Sequence, residues 1–491
     1  MTEHVDVLIA GAGLSGIGAA VHLGKDSPSK TYAIVEMRDS LGGTWDLFRY
    51  PGIRSDSDMF TLGFSFKPWK GEKSIADGPD ILAYLKETAR EYGIADKIRY
   101  HRKVVGASWS TPDALWTVDI ENTETGGLEQ LTCNFLYGNT GYYNYDEGYT
   151  PDFPGIENYT GQIIHPQKWP DDLDYAGKRI VVIGSGATAV TLIPSLARTA
   201  AHVVMLQRSP TYIATLPAKD PIANLVRRVL PDELAYSAVR WKNVGVSSGF
   251  YQLCRRAPGL AKKIIRQMNA RQLPRDYDID THFTPTYDPW DQRLCLVPDG
   301  DLFRAIRKGT ASVVTDRIDT FTETGIRLES GQELDADIVI TATGLNVKVL
   351  GGIQILVDGK PLVPNELIGY KGMMFCGVPN AALTLGYTNA SWTLKADLVA
   401  EYVCRLLNHM DATGTDTCIP QPPRAGTPTH PFIDLQSGYV VRALDQLPKQ
   451  GDTTPWRLHQ NYLRDIRMLR RGSVDDSMTF VRSRDRLPAT A

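Results

Sequence analysis

The sequence has no C-x-x-C pair, no close cysteine and histidine cluster, no strong excess of either charge and no long apolar run. Each absence removes a class of protein. Six cysteines (Cys133, Cys254, Cys295, Cys376, Cys404 and Cys418) are scattered over 491 residues. That scatter argues against a disulfide framework or a zinc site and fits a reducing compartment. No metal centre and a cytoplasmic location are therefore expected. The net charge of -3 gives no long-range attraction to nucleic acid or to an anionic membrane. No uninterrupted apolar stretch approaches the ~20 residues of a membrane-spanning helix. The opening "MTEHVDVLIAGAGLSGIGAAVHL" lacks the basic start of a secretory signal, and regularly spaced glycines break its apolar run. What remains, 42% hydrophobic and 22% charged, is an ordinary globular composition with ample material for a large core. The length suggests about three domains.

Those glycines carry the first positive signal. An apolar run short enough for a buried strand leads into Gly11-x-Gly13-x-x-Gly16 and then a helical pattern. One glycine makes the tight turn, one admits a pyrophosphate close to the backbone, and one lets helix and strand pack. The helix start then offers free N–H groups and the positive end of its dipole. A second apolar run, "TYAIVE", ends in Glu36, 20 residues after Gly16, where a carboxylate accepts the hydroxyls of an adenosine ribose. A glycine-rich structural turn is the alternative, and the strand, helix and acid together favour a dinucleotide.

"RIVVIGSGATAVTLIPSLA" repeats the design as Gly184-x-Gly186-x-x-Ala189, with Ser185, Ala187, Thr188 and Val190 completing the loop and helix start. Its second strand ends differently. From Gly11 to Glu36 is 25 positions and from Gly184 to Arg208 is 24, so Gln207-Arg208 stands where the first unit has its acid. An acid would repel a 2′-phosphate, whereas an arginine pairs with it. NADPH is expected at this loop rather than NADH; the alternative is an arginine that merely faces solvent. Two further stretches, "FLYGNTGYYNY" and "DIVITATGLNV", read as the crossings between the two units. Paired dinucleotide units make an α/β fold of two Rossmann-like domains and point to a flavin- and nicotinamide-dependent oxidoreductase. A pyridine nucleotide–disulfide reductase shares those units but needs a redox thiol pair, which the cysteine scatter denies it.

Two more motifs are specific. "GGTWDLFRYPGIRSDSDM", from Gly42 to Met59, has the form G-G-x-W-x-x-x-x-Y-P-G-x-x-x-D. "YTGQIIHPQKWP" sets Tyr159, Gly161, His165, Trp169 and Pro170 at the spacing F-x-G-x-x-x-H-x-x-x-W-[PD], with Tyr159 in place of Phe. Both resemble the fingerprints of the Baeyer–Villiger monooxygenases, which are class B flavoprotein monooxygenases, and the resemblance covers nearly the whole chain. It implies FAD at the first loop, NADPH at the second, and O2 as co-substrate through a C4a-peroxyflavin. The implied substrates are small-molecule ketones, sulfides or thioamides.

By the same resemblance, Arg293 is the active-site cation and Asp56 its carboxylate partner, with Arg54 and Ser55 as cofactor-contacting neighbours. Arginine suits this role because it stays charged and offers a rigid donor fork. A surface arginine and a helix-capping aspartate are the ordinary alternatives. Family members often carry lysine just before the arginine. Gln292 stands there in this chain, which leaves more of the 2′-phosphate to Arg208. Ser15 is expected at the pyrophosphate, Thr44, Trp45, Asp46 and Leu47 along the flavin, and backbone Val104 at the adenine. The resemblance also implies that Gly161, His165 and Trp169 form a linker in which His165 couples the two domains without acid–base chemistry; a packed histidine that fixes the linker is the ordinary alternative. Ser391 or Thr393 is expected to cap a helix aimed at the flavin, and Trp392 either lines the substrate pocket or packs ordinarily.

The expected organisation is a discontinuous FAD domain, residues 1–145 and 345–491, around an NADP domain, residues 155–214 and 286–345. Residues 215–285 read as a helical insertion. Its basic face could touch a membrane, although a solvated face is the simpler reading. Two rival functions stand beside oxygenation of ketones: an N-hydroxylating or sulfide-specific flavin monooxygenase, and a non-enzymatic NADPH-sensing flavoprotein.

Overall fold

The computed structural model describes residues 2–433 and 435–482. Two sheets, each with parallel strands at its centre, organise it. The first has nine strands. From its middle to one edge it runs Leu128–Gly138, Glu3–Ala10, Tyr32–Val35 and Ile98–Arg99, all parallel. Gln354–Val357 and Ala381–Leu383 join this sheet from far along the chain. The second sheet has five parallel strands in the order Ala311–Thr315, His202–Gln207, Arg179–Ile183, Ile338–Thr341 and Gln162–Ile164.

The strand sequences explain these positions. Val7, Leu8, Ile9 and Ala10 are all at most 1% exposed. Such an unbroken apolar run belongs to a strand covered on both faces. The helix Leu14–Asp26 covers one face and packs against the long helix Trp392–Thr413. Between the sheets, Tyr143–Gly148 and Leu345–Val347 pair as an antiparallel ribbon. This ribbon is built from the two stretches that the sequence marks as crossings.

The helical insertion contains Pro221–Val229, Asp232–Arg256, Pro258–Ala270 and Ile279–Phe283. Its longest helix lies against the first unit. Arg240 is buried there and donates to the carbonyls of Phe60 (2.9 Å) and Gly63 (2.7 Å). The apolar stripe Ile222, Leu225 and Val229 on the first helix faces solvent, so helical spacing alone did not decide which face is covered.

Candidate active site

A cavity of about 1110 Å³ runs past both glycine loops. The loops open into it for the same steric reason. Gly11 has φ +104°, and an added Cβ would sit 2.5 Å from the Asn139 carbonyl oxygen. Gly184 has φ +131°, and its Cβ would sit 2.3 Å from the Ala342 carbonyl oxygen. Each loop therefore nestles against one of the crossings. Gly16 is tighter still, because a Cβ there would lie 1.9 Å from the Gly11 carbonyl oxygen. The helices beginning at Leu14 and Ala187 have no side-chain cap, which leaves their first N–H groups directed at the cavity end.

Gly11, Gly13, Ser15, Glu36, Thr44, Trp45, Ser55 and Val104 line the first half of the cavity. Glu36 is buried and accepts from the backbone N–H groups of Ala12 (2.8 Å) and Arg38 (3.1 Å). Burial pushes its carboxyl pKa up, against the pull of those two donors. The buried Asn139 donates to the Tyr137 carbonyl, but its Oδ1 has no partner among the described residues. An orphaned acceptor on this wall fits a bound ligand better than an empty packing site. The expected flavin residues divide here. Asp46 is buried in ion pairs with Arg38 (2.6 Å) and Arg49 (3.8 Å), and Leu47 packs against the second unit's core. Neither lines the cavity. Arg54 is paired with Asp301 at 2.6 Å and anchors the segment from outside the cavity.

In the second half, Gly184, Ser185, Gly186, Ala187, Thr188, Gln207 and Arg208 line the wall. Ala189 and Val190 are buried beneath it and support the helix. The Gln207 amide turns inward and donates to the His282 carbonyl and the Thr315 hydroxyl, both at 2.8 Å. Arg208 is exposed and makes no hydrogen bond or ion pair among the described residues.

Arg293 and Asp56 meet where the halves join. The guanidinium donates to Asp56 Oδ2 at 2.5 Å, with the side chains 36% and 33% exposed. Asp56 raises the arginine's pKa still further, so the cation is permanent. Ser55 Oγ donates to the Ser57 carbonyl at 2.6 Å and fixes the turn that presents Asp56. Facing the pair is an aromatic wall, of which the sequence pointed only to Trp392. The Tyr142 and Tyr143 hydroxyls lie 2.8 Å apart. Tyr142 stacks on Trp392 at 5.6 Å and on Tyr439 at 6.4 Å. Burial holds the Tyr142 phenol well above its usual pKa, so it stays protonated. Tyr142 and Tyr143 stood in a quoted motif, but nothing local marks Tyr439.

Trp392 lines the cavity, and its indole N–H donates to Ser15 Oγ at 2.8 Å. The capping expectation fails. Neither Ser391 nor Thr393 caps the helix: the Ser391 hydroxyl pairs with that of Thr61, and Thr393 Oγ1 donates to the Leu62 carbonyl. Both hydroxyls are consumed in tying this helix to the 59–62 turn.

The linker residues lie outside the cavity lining. The Nδ1 of His165 accepts from the Gln167 backbone N–H at 3.2 Å, so Nε2 carries the proton and donates to the Gly344 carbonyl at 3.1 Å. The ring covers Gly148, where a Cβ would sit 1.9 Å from it. One imidazole thus touches the end of one ribbon strand and the residue just before the other. Burial lowers its pKa and keeps it neutral near pH 7. Gly161 is required because a Cβ there would sit 2.8 Å from the Asp337 carbonyl oxygen, and Trp169 packs edge-on to Tyr175 at 6.5 Å.

Paired Rossmann-like units opening onto one cavity, with a fixed cation at their junction, define a class that comparison bears out. The chain belongs to the flavin-binding monooxygenase-like family, whose model matches residues 75–374, and a model of an NAD(P)-binding Rossmann-like domain matches residues 9–70. Among curated relatives it is 60% identical over 477 residues to the FAD-containing monooxygenase EthA of Mycobacterium tuberculosis, covering 97% of each chain. Two of the solved structures that share the fold illustrate the likeness. One is a steroid monooxygenase (TM-score 0.75, 22% identity, 97% of this chain and 99% of that one). The other is an open form of cyclohexanone monooxygenase (TM-score 0.76, 19% identity, 98% and 100%). Among the described residues, no helix is long and apolar enough to cross a membrane.

Proposed function

We propose that this chain is an FAD-containing, NADPH-dependent monooxygenase of the Baeyer–Villiger type. It converts a ketone, O2, NADPH and a proton to an ester or lactone, water and NADP+, and it oxidises sulfides or thioamides at the same site. The observation that carries the reading is the Arg293–Asp56 pair on the wall of a cavity into which both glycine loops open. In this reading residues 1–145 and 345–491 hold FAD, and residues 155–214 and 286–345 hold NADPH. The bare helix start at Leu14, the glycine turn and Glu36 suit pyrophosphate and ribose, and the name of the relative EthA agrees with FAD. Bound there, FAD supplies hydride acceptance from NADPH and activation of O2.

The chain's own residues do the rest. Arg293 holds a fixed positive charge where negative charge develops on oxygen, and Asp56 aims it. The wall of Tyr142, Tyr143, Tyr439 and Trp392 excludes water from that point and favours an apolar substrate. His165 joins the two strands through which the units move relative to each other. The scatter of the six cysteines along the sequence suits a reducing, cytoplasmic setting.

The test is conversion of a cyclic ketone, a thioether and an amine by the purified chain with NADPH and 18O-labelled O2. A labelled lactone and sulfoxide are expected, together with bound FAD. Hydroxylamine without lactone would instead make it an N-hydroxylating enzyme. NADPH binding without any O2-derived product would make it a sensor.

A further inference from the structure

The 2′-phosphate of NADPH carries nearly two negative charges near pH 7, and a single guanidinium does not neutralise it. The position before Arg293, where a second cation would stand by resemblance, holds the neutral Gln292. Gln207 has its amide committed inward, as shown above. We propose that Arg317 is the second cation for the 2′-phosphate, acting with Arg208 from the neighbouring strand end. The inference rests on reading the second glycine loop as an NADPH site.

The geometry comes from two parallel strands. Gln207 is in register with Thr315, and the Asp316 N–H donates to the Gln207 carbonyl at 3.0 Å. Arg208 is thus level with Asp316, and Arg317 follows one position on, so the two arginines leave neighbouring strands at the carboxyl ends where α/β sheets bind their ligands. Both residues line the same cavity and both are exposed. Neither guanidinium has a hydrogen bond or ion pair among the described residues, although the surface has acids to offer. Ordinary solvated arginines need no common wall. Two unpaired arginines converging on one wall, 24 and 133 positions after the first glycine of the loop (208 − 184 and 317 − 184), fit a shared dianion.

The nearby acids do not cancel them. The Asp316 carboxylate closes its own turn, accepting the backbone N–H groups of Arg317 (2.7 Å) and Ser330 (3.3 Å). Glu329 also reaches this wall. Its backbone N–H donates to the Arg317 carbonyl at 2.9 Å, but its carboxylate forms no ion pair with either arginine. That leaves both donor forks available to the phosphate, and a bidentate arginine contact is stronger and more directional than a lysine one.

The FAD-loaded full chain and its Arg317→Ala and Arg208→Ala variants provide the test, in two readouts. Calorimetric titration with adenosine 2′,5′-bisphosphate and with ADP reads the subsite without turnover. Steady-state kinetics with NADPH and NADH reads the cofactor. Arg317→Ala is expected to weaken the bisphosphate and raise KM for NADPH by about tenfold or more. ADP affinity, KM for NADH and kcat should stay within about twofold of wild type, since those lack or do not need the phosphate contact. Arg317→Lys should recover part of the loss. If Arg208→Ala weakens the bisphosphate and Arg317→Ala does not, the assignment of Arg317 is overturned while the NADPH reading stands. If the wild-type chain binds bisphosphate and ADP equally and uses NADH as readily as NADPH, the NADPH reading falls and takes this inference with it.

Discussion

In the proposed function, Arg293 works through a charge that it cannot lose. Its carboxylate partner accepts one N–H and leaves the remaining donors of the fork free to face the cavity. Asp56→Asn keeps the size and removes the charge, so Arg293 should lose its aim more than its presence. Oxygenated product per NADPH consumed is expected to fall about tenfold or more, and adding Arg293→Ala should cost far less than the sum of the single effects. Product and NADPH measured in the same reaction check both statements. At this scale the sequence was legible where one residue type has one physical use. Arg208 stands in the place of the first unit's acid and lines the cavity, exposed and unpaired, a placement open both to a phosphate and to solvent. Gln207, its neighbour, could not be read, because the partners that turn it inward come from residues 282 and 315. Asp46 likewise looked like a cofactor residue and is instead a buried countercharge for Arg38.

The glycine loops are the elements most fully written in the sequence, because their constraint is local and steric. Gly16→Ala should force the Gly11 carbonyl away from a Cβ that would otherwise lie 1.9 Å from it. The expected outcome is purified protein with little FAD, read from the ratio of flavin to protein absorbance. Gly184→Ala should spare FAD and weaken NADPH, because its clash is with the Ala342 carbonyl. The ribbon between the sheets was harder to see. Its strands are short and lie about 200 residues apart, and only the structure pairs Leu345 with Gly148. His165 fastens that ribbon, so His165→Ala is expected to retain FAD while uncoupling NADPH consumption from oxygenation, with hydrogen peroxide released instead. The helix Trp392–Thr413 shows how tertiary contacts override a capping pattern. Its two hydroxyls look like caps, yet both are drawn to the 59–62 turn.

Across the whole molecule, three distant segments converge on one buried charge cluster. His22 from the first helix lies 3.0 Å from Asp26 and 3.7 Å from Asp397, with Glu401 further off, and Arg240 of the insertion approaches Asp397 at 3.5 Å. Burial pushes the imidazole's pKa down, but the two carboxylates outweigh it and the pKa rises to about 9. The folded state thus keeps a proton that the unfolded chain gives up near pH 6.5. The stability from this site is complete below pH 6.5 and is lost as pH rises through about 9. It amounts to about 3 kcal/mol at most. Thermal melts from pH 6 to 9.5 should show this decline, and His22→Gln should flatten it. Only the His22–Asp26 spacing of four is visible in the sequence; Asp397 and Arg240 join it through packing of the long helix and docking of the insertion. The α/β class and the repeated units were legible at this scale because glycine spacing and apolar runs encode them twice.

In the proposed function, the guanidinium of Arg293 is what turns NADPH oxidation into oxygen insertion. Its most direct test is the yield of lactone per NADPH consumed by Arg293→Ala, with FAD content confirmed beforehand. Continued NADPH oxidation is expected, with hydrogen peroxide as the oxygen product and a lactone yield at least about 100-fold below wild type. A lactone yield equal to the wild-type chain's would contradict it.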